Sequence, residues 1–375
     1  MDVLSGLVEK SLVVSKAAEP EGVRYRLLEP IRQYAMEKLE ESGEAEDAKR
    51  THAEYFLALA DEVEPELVGP REAEWFDRLG AELDNLRAAL SWSQARDEAE
   101  LGLRHAGALM WFWSWEGLLR EGCLWLEEAL AQDGHTSAVA RAKARGAASL
   151  LARAQGDLGR AKGAAEEGLR LSEEARTEDN RGAFLFGGSP AAYFLDLLAL
   201  VSGEEGDHAR MAKLSEESLA LSRQANDAPG IANSLVTLAA ASCKQGDYGQ
   251  GETLYEEGLN ISRELDSASL RFLYLSNWGY MSLLRGDHQR GTALAEEAVE
   301  LAKERRRAFM GSLPFALDTL GWATLLDGEL ERAKVQFEEN LTVSKRLGDK
   351  GIFLISLEGL PPISEVEMGF EITGY

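Results

Sequence analysis

Paired carboxylates are the most conspicuous reactive groups in this chain of 375 residues. Glu127-Glu128, Glu166-Glu167, Glu216-Glu217, Glu256-Glu257, Glu296-Glu297 and Glu338-Glu339 recur at one spacing. Two carboxyl groups facing one substrate could perform general acid–base chemistry. Neighbouring residues on a helix point apart, however, so six equivalent pairs make a periodic acidic surface and not a cleft. The reading is a solvated face; weak binding of a basic partner is the alternative. His52, His105, His135, His208 and His288 have no second ligand-type side chain at metal spacing. Cys123 and Cys243 lie far apart, outside any nucleophile motif, and no disulfide is expected of them. Gly187-Gly188-Ser189-Pro190 lacks the lysine and the preceding strand of a phosphate loop. Arg305-Arg306-Arg307 has Glu296, Glu297, Glu300 and Glu304 on neighbouring turns, which points to charge balance at a surface; a phosphate contact is the alternative. No catalytic residue, metal or cofactor is expected.

Aromatic residues offer a different chemistry, that of apolar or peptide recognition. Trp111-Phe112-Trp113-Ser114-Trp115, followed by Trp125, cannot all enter one core, because successive helical positions face different ways. Core packing and an apolar ligand pocket are the two readings of the cluster. Asn233, Thr237, Arg271, Tyr274, Asn277, Tyr280, Phe315 and Asp318 are further candidates for a ligand or partner groove.

Positioning these residues falls to a repeated element. Glycines at Gly117, Gly156, Gly206, Gly246, Gly286 and Gly328 step by 39, 50, 40, 40 and 42 residues, and each acidic pair begins ten residues after its glycine. In the middle units the glycine is followed by aspartate. Each unit reads as helix A, a Gly-Asp or Gly-Glu turn, helix B and a link. A helical hairpin cannot bury its apolar face alone, so the units must stack. The array spans about residues 98–360, with the five glycines from Gly156 to Gly328 as structural turn positions. The unit ending at Gly206 carries an excess of ten residues, placed in the stretch around residues 178–190, where Pro190 starts or kinks a helix.

Ahead of the array, residues 30–97 read as a helical domain, with a helix opening at Pro30, a second over about 44–64 and a third region over about 71–96, divided near Gly80. Residues 1–29 read as a helix on Val3, Leu4, Leu7 and Val8, then two short strands at Val13-Val14 and Tyr25-Arg26-Leu27-Leu28. Residues 361–375 resume no repeat and read as an irregular tail. Forty basic against 65 acidic residues give a net charge of −25, a field that repels nucleic acid and anionic membrane and favours basic or neutral partners. No apolar stretch reaches the length of a membrane span, and no signal peptide opens the chain, which implies the cytoplasm.

The repeats resemble tetratricopeptide units. Trp278 and Gly279 occupy that family's large–small pair in helix A, and Gly291 and Ala298 its small positions in helix B; Leu320, Gly321 and Ala333 match in the last unit, with Phe337 between. Asn340 and Met211 depart from the small-residue pattern. Tyr25-Arg26-Leu27-Leu28-Glu29-Pro30-Ile31-Arg32-Gln33-Tyr34-Ala35, His52-Ala53-Glu54-Tyr55-Phe56 and Glu82-Leu83-Asp84-Asn85-Leu86-Arg87-Ala88-Ala89-Leu90 resemble a family of multidomain bacterial transcriptional regulators. Its members join an NB-ARC-like signalling ATPase to a winged-helix segment and a tetratricopeptide sensor. The resemblance covers about residues 1–350. It implies an all-α, tetratricopeptide-like solenoid preceded by a helix-plus-hairpin winged-helix remnant, in a fragment or truncated relative. It further implies a non-catalytic sensor module whose partner is a protein, a peptide, a small effector or the parent regulator's own domains, without direct nucleic-acid or membrane binding. A free-standing adaptor or peptide-binding scaffold is the alternative.

Overall fold

The computed structural model describes residues 2–18, 22–96, 98–132, 135–175, 189–304 and 311–347. The chain divides into two compact units, residues 1–55 and 56–375. In the first, helix α1 (Asp2–Glu9) leads into strands β1 (Val13–Ala18) and β2 (Gly22–Leu27). These pair antiparallel, with Val13 opposite Leu27 and Ser15 opposite Tyr25. Helix α1 contains Val3, Leu4, Leu7 and Val8 and stops before Ser11, which adopts a left-handed φ of 56°, and β-branched Val13 and Val14 begin the strand. Helix α2 (Glu29–Ser42) has Pro30 in its first turn and closes at Gly43, whose φ is 79°. None of its residues is buried.

Helix α3 (Ala45–Val63) holds residues of both units. Its apolar stripe is Ala53, Phe56, Leu57, Leu59, Ala60 and Val63, whereas Tyr55 is exposed. Pro65 converts the chain to a 3₁₀ turn, Glu64–Leu67, and helices α4 (Glu72–Ala81) and α5 (Leu83–Ala95) follow, divided at Glu82. The all-helical array then runs through α6 (Ala99–Ala108), α7 (Met110–Trp115), α8 (Leu119–Ala131), α9 (Ala138–Ala154), α10 (Leu158–Ala175), α11 (Pro190–Glu204), α12 (His208–Ala225), α13 (Ala228–Lys244), α14 (Tyr248–Glu264), α15 (Ala268–Arg285), α16 (His288–Glu304), α17 (Leu313–Leu326) and α18 (Leu330–Leu347). Helix A of the first repeat is split into α6 and α7. From α9 onward each A helix packs on its B helix and on the A helices either side.

One joint recurs at every A–B turn. Gly156, Gly206, Gly246, Gly286 and Gly328 have φ between 79° and 91°, a region open to glycine and costly for residues with a Cβ. At Gly246 its N–H reaches Cys243 O at 3.0 Å, and the Asp247 N–H reaches Ser242 O at 2.9 Å, which satisfies carbonyls at the end of α13. The Asp247 carboxylate then accepts from Gln250 N–H at 3.0 Å and caps α14. Asp157, Asp207 and Asp287 repeat that cap. Glu329 stands in its place in the last unit and pairs with Arg332 instead, at 3.0 Å.

Stacking between units is set by paired sizes. Gly168, Ser218 and Gly258 hold the same place in their B helices, and Phe194, Ser234 and Tyr274 the same place in the A helix that follows. The Phe194 ring occupies the space above Gly168, and the Tyr274 ring that above Gly258. Where both sides are medium-sized, Ser218 and Ser234 share a hydrogen bond of 2.9 Å. Met211 is accommodated in the same way, because Gly203 leaves room for its sulfur, whereas the next unit has Gly251 against Cys243. Asn340 is fully buried, and its Oδ1 accepts from Ser344 Oγ at 3.1 Å.

Candidate ligand-binding surface

The A helices form one layer, α9, α11, α13, α15 and α17, and equivalent positions on them form rows. Thirteen residues before each turn glycine lie Lys143, Tyr193, Asn233, Leu273 and Phe315. At one end this row is covered by the chain's own leading segment. Lys143 Nζ pairs with Glu64 and lies 3.9 Å from Asp61, while Tyr193 Oη lies 3.2 Å from Met110 Sδ. Burial lifts the Glu64 carboxyl to about 7 even though Lys143 pulls the other way. At the other end the row is open: Phe315 is 36% exposed and packs 5.7 Å from the Tyr280 ring. Leu284 (55% exposed) and Leu326 (54%) extend the uncovered apolar area along α15 and α17. A cleft of about 310 Å³ adjoins it, lined by His208, Cys243, Lys244, Tyr248, Tyr280, Met281 and Leu284.

Two aspartates share the row ten residues before the turn glycine. Asp196 is buried and accepts from Asn233 Nδ2 and Ser234 Oγ, each at 3.0 Å, but its Oδ1 has no partner. Asp318 is half-buried, and its Oδ1 too lacks a partner. Burial without a cation pushes Asp196 up to about 7 and Asp318 to about 6. Of the two equivalent residues between them, Val236 and Ser276, Ser276 also keeps a buried hydroxyl without a partner.

The structure separates the residues nominated from sequence. Asn233, Asn277 and Phe315 lie in the A-helix layer, with the Asn277 amide donating to Leu273 O at 2.9 Å. Arg271 is half-buried and its Nε has no hydrogen-bond partner. Tyr274 is a packing residue and not a groove group, because its ring fills the glycine hole at Gly258 and its hydroxyl donates to Ala232 O. Trp113 is likewise buried, against Gly122. Trp115 is buried between Phe76, Trp111 and Phe272, with ring centroids 6.3–6.4 Å away, and Trp111 is half-buried at its side. Trp125 donates to Glu121 at 3.3 Å.

None of the six acidic pairs is buried, and their charges join successive B helices: Arg160 meets Glu127 at 2.5 Å, Arg223 meets Glu257 at 2.8 Å and Lys303 meets Glu339 at 2.8 Å. The stretch at 176–188, Arg305-Arg306-Arg307 and the tail at 361–375 lie outside the described residues. Among the described residues no helix is long and apolar enough to cross a membrane, and no group of three acidic, histidine or cysteine side chains could hold a metal ion.

Sequence reasoning missed Asp196 and Glu72. A lone acid inside Pro190-Ala191-Ala192-Tyr193-Phe194-Leu195-Asp196-Leu197-Leu198 was a readable signal. Glu72 carried none, because the groups it meets are Ser267 and Ser269.

No family model matches the chain. Over 143 residues it is 39% identical to proteins of Mycobacterium tuberculosis and Mycobacterium bovis that bear the name HTH-type transcriptional regulator. That stretch is 38% of this chain and 16% of each relative, so the chain spans a small part of their length. Among solved structures it is similar to NprR in complex with its cognate peptide NprX, with a TM-score of 0.55 and 13% identity over 84% of this chain and 85% of that one. It is also similar to aspartyl phosphate phosphatase F of Bacillus subtilis, with a TM-score of 0.54 and 10% identity over 84% of this chain and 75% of that one. The structural matches establish a tetratricopeptide-like helical repeat fold, and the sequence matches show that part of the chain is similar to part of proteins named as transcriptional regulators.

Proposed function

We propose that residues 56–347 form a non-catalytic sensor module of a bacterial transcriptional regulator, one that binds a peptide or small effector on the open part of its A-helix layer. The observation that carries this reading is the juxtaposition, on α15 and α17, of exposed Phe315, Leu284 and Leu326 with the unpaired carboxylate of Asp318. Apolar anchors beside a carboxylate that no cation neutralises suit a ligand with apolar side chains and a basic group, which the net charge of −25 also favours. The likeness to NprR, whose structure contains a peptide, supports the same reading. In such a regulator binding would shift a balance between two arrangements of the parent protein, which would work in the cytoplasm and carry its nucleotide- and DNA-binding functions on other segments.

A fluorescence-polarisation screen of the full chain against short peptides that pair apolar with basic residues tests the proposal. Phe315→Ala and Asp318→Asn should each weaken a hit about tenfold or more, with the circular dichroism spectrum unchanged. Hits whose affinity is untouched by both variants would place binding elsewhere and sink the reading.

A further inference from the structure

In a stacked array each unit meets its neighbours, and contacts that skip several units are not needed to build it. This array has such a set. Glu72, on α4, is 1% exposed and reaches the amino-terminal end of α15: Oε1 accepts from Ser269 N–H at 2.9 Å, and Oε2 accepts from Ser269 Oγ at 2.8 Å and Ser267 Oγ at 3.3 Å. Beside it, the Trp115 ring lies 6.3 Å from Phe272, and Trp115 O accepts from Gly311 N–H at 2.7 Å, just ahead of α17. Gly311 is closely backed by Ser114 O and Gly117 N, so a side chain there would collide with backbone. Val68 packs on the core cluster of α13–α15.

We propose that residues 64–76, together with Trp115, are a releasable latch that ties the start of the array to the leading edges of α15 and α17, so that the array alternates between a latched and an open state. The chemistry is suited to release. The carboxylate sits at the positive end of α15 and takes one of its free N–H groups, a favourable but local interaction. Helix α15 does not depend on it, because Ser267 is its own cap and accepts from Leu270 N–H at 3.2 Å. Tyr274 and Trp278 are buried in the core cluster that α13, α14 and α15 share, of which Glu72 is no part. When the latch opens, water can take over the Ser269 N–H and both hydroxyls. A similar pairing occurs at a neighbour contact, where Glu100 accepts from Ser137 N–H and Oγ at 2.8 Å each, at the start of α9. There it joins adjacent helices of the stack, whereas Glu72 joins segments that the repeat order keeps apart. The same row of the A-helix layer is covered near Lys143 and open at Phe315, so release would lengthen the accessible face.

Amide hydrogen exchange on the unmodified full chain is the first test. Peptides covering 267–272 and 311–315 should exchange through an opening that leaves α13 and α14 protected, with rates about tenfold or more above those helices. Glu72→Ala should raise exchange at 267–272 about tenfold further, Glu72→Gln by less, and Trp115→Leu should raise it at 311–315, all with α13 and α14 unchanged. If the wild-type edge exchanges only as slowly as α13 and α14, or if the variants leave the edge as it was, there is no latch. If Glu72→Ala loosens α13 and α14 as much as α15, the contact is part of one cooperative core and the proposal fails.

Discussion

The A–B turns and the A-helix face differ as a scaffold differs from what it displays. The turns repeat almost residue for residue: a glycine with φ near 85°, two backbone hydrogen bonds that close helix A, and an aspartate that opens helix B. The face changes from unit to unit. At one equivalent position it carries Lys143, Tyr193, Asn233, Leu273 and Phe315 in turn; the first two are covered by the chain's own leading segment and the last is open. Geometry has a single solution at a tight turn, because only glycine enters that region of φ without strain, and the same residue therefore recurs. A surface that meets a ligand has no such constraint, and its variety is where specificity can reside.

Between the two lies the stacking interface, and it offers the largest test of the contrast. Tyr274→Ala should destabilise the array by about 3–5 kcal/mol, because it empties a space that Gly258 cannot fill. Thermal or chemical unfolding would show it. Installing serine at both positions copies the Ser218–Ser234 pair and should recover part of the loss relative to Tyr274→Ser alone. Strict additivity would mean that the two positions do not sense each other's size.

A second test concerns the face. Asp196 has its proton affinity raised by burial to about 7, so between about pH 4 and 7 the folded chain holds a proton that the unfolded chain has released. Stability should therefore fall as pH rises through that window, by at most about 1.4 kcal/mol per pH unit from this group, and level off above it. Asp196→Asn should remove that part of the slope. Glu64 and Asp318 titrate in the same sense, so the readout is the difference between wild type and variant. Identical slopes would show that Asp196 is not held protonated. The smallest effect belongs to the turns. Gly246→Ala should cost about 1–2 kcal/mol for the forced left-handed backbone, and Gly246→Asn less. Asn226 already adopts φ 53° at the preceding turn, where α12 gives way to α13. Equal losses for alanine and asparagine would break the argument from φ.

Legibility follows the same division. The spacing of glycines and acidic pairs disclosed the units, and Pro190 and Pro30 marked helix starts, because turn and cap chemistry is local. Helix phase was less secure: Tyr274, a candidate groove group by sequence, points inward because its size is matched to a glycine in the preceding helix. Met211 looked like a departure from the repeat, but Gly203 compensates for it across the hairpin. The tryptophan cluster held both a core residue, Trp113, and a long-range one, Trp115, which no local pattern distinguishes.

The sequence by itself determined an acidic, all-helical repeat array and the places where its helices turn. Those depend on short-range constraints: periodicity, φ at glycine and side-chain caps within three residues. Only the tertiary structure decided which part of the A-helix layer is open, that Asp196 lies buried without a cation, and that Glu72 meets Ser269. These depend on which distant surfaces meet when the units stack, and a buried carboxylate has no sequence signature until the groups around it are known.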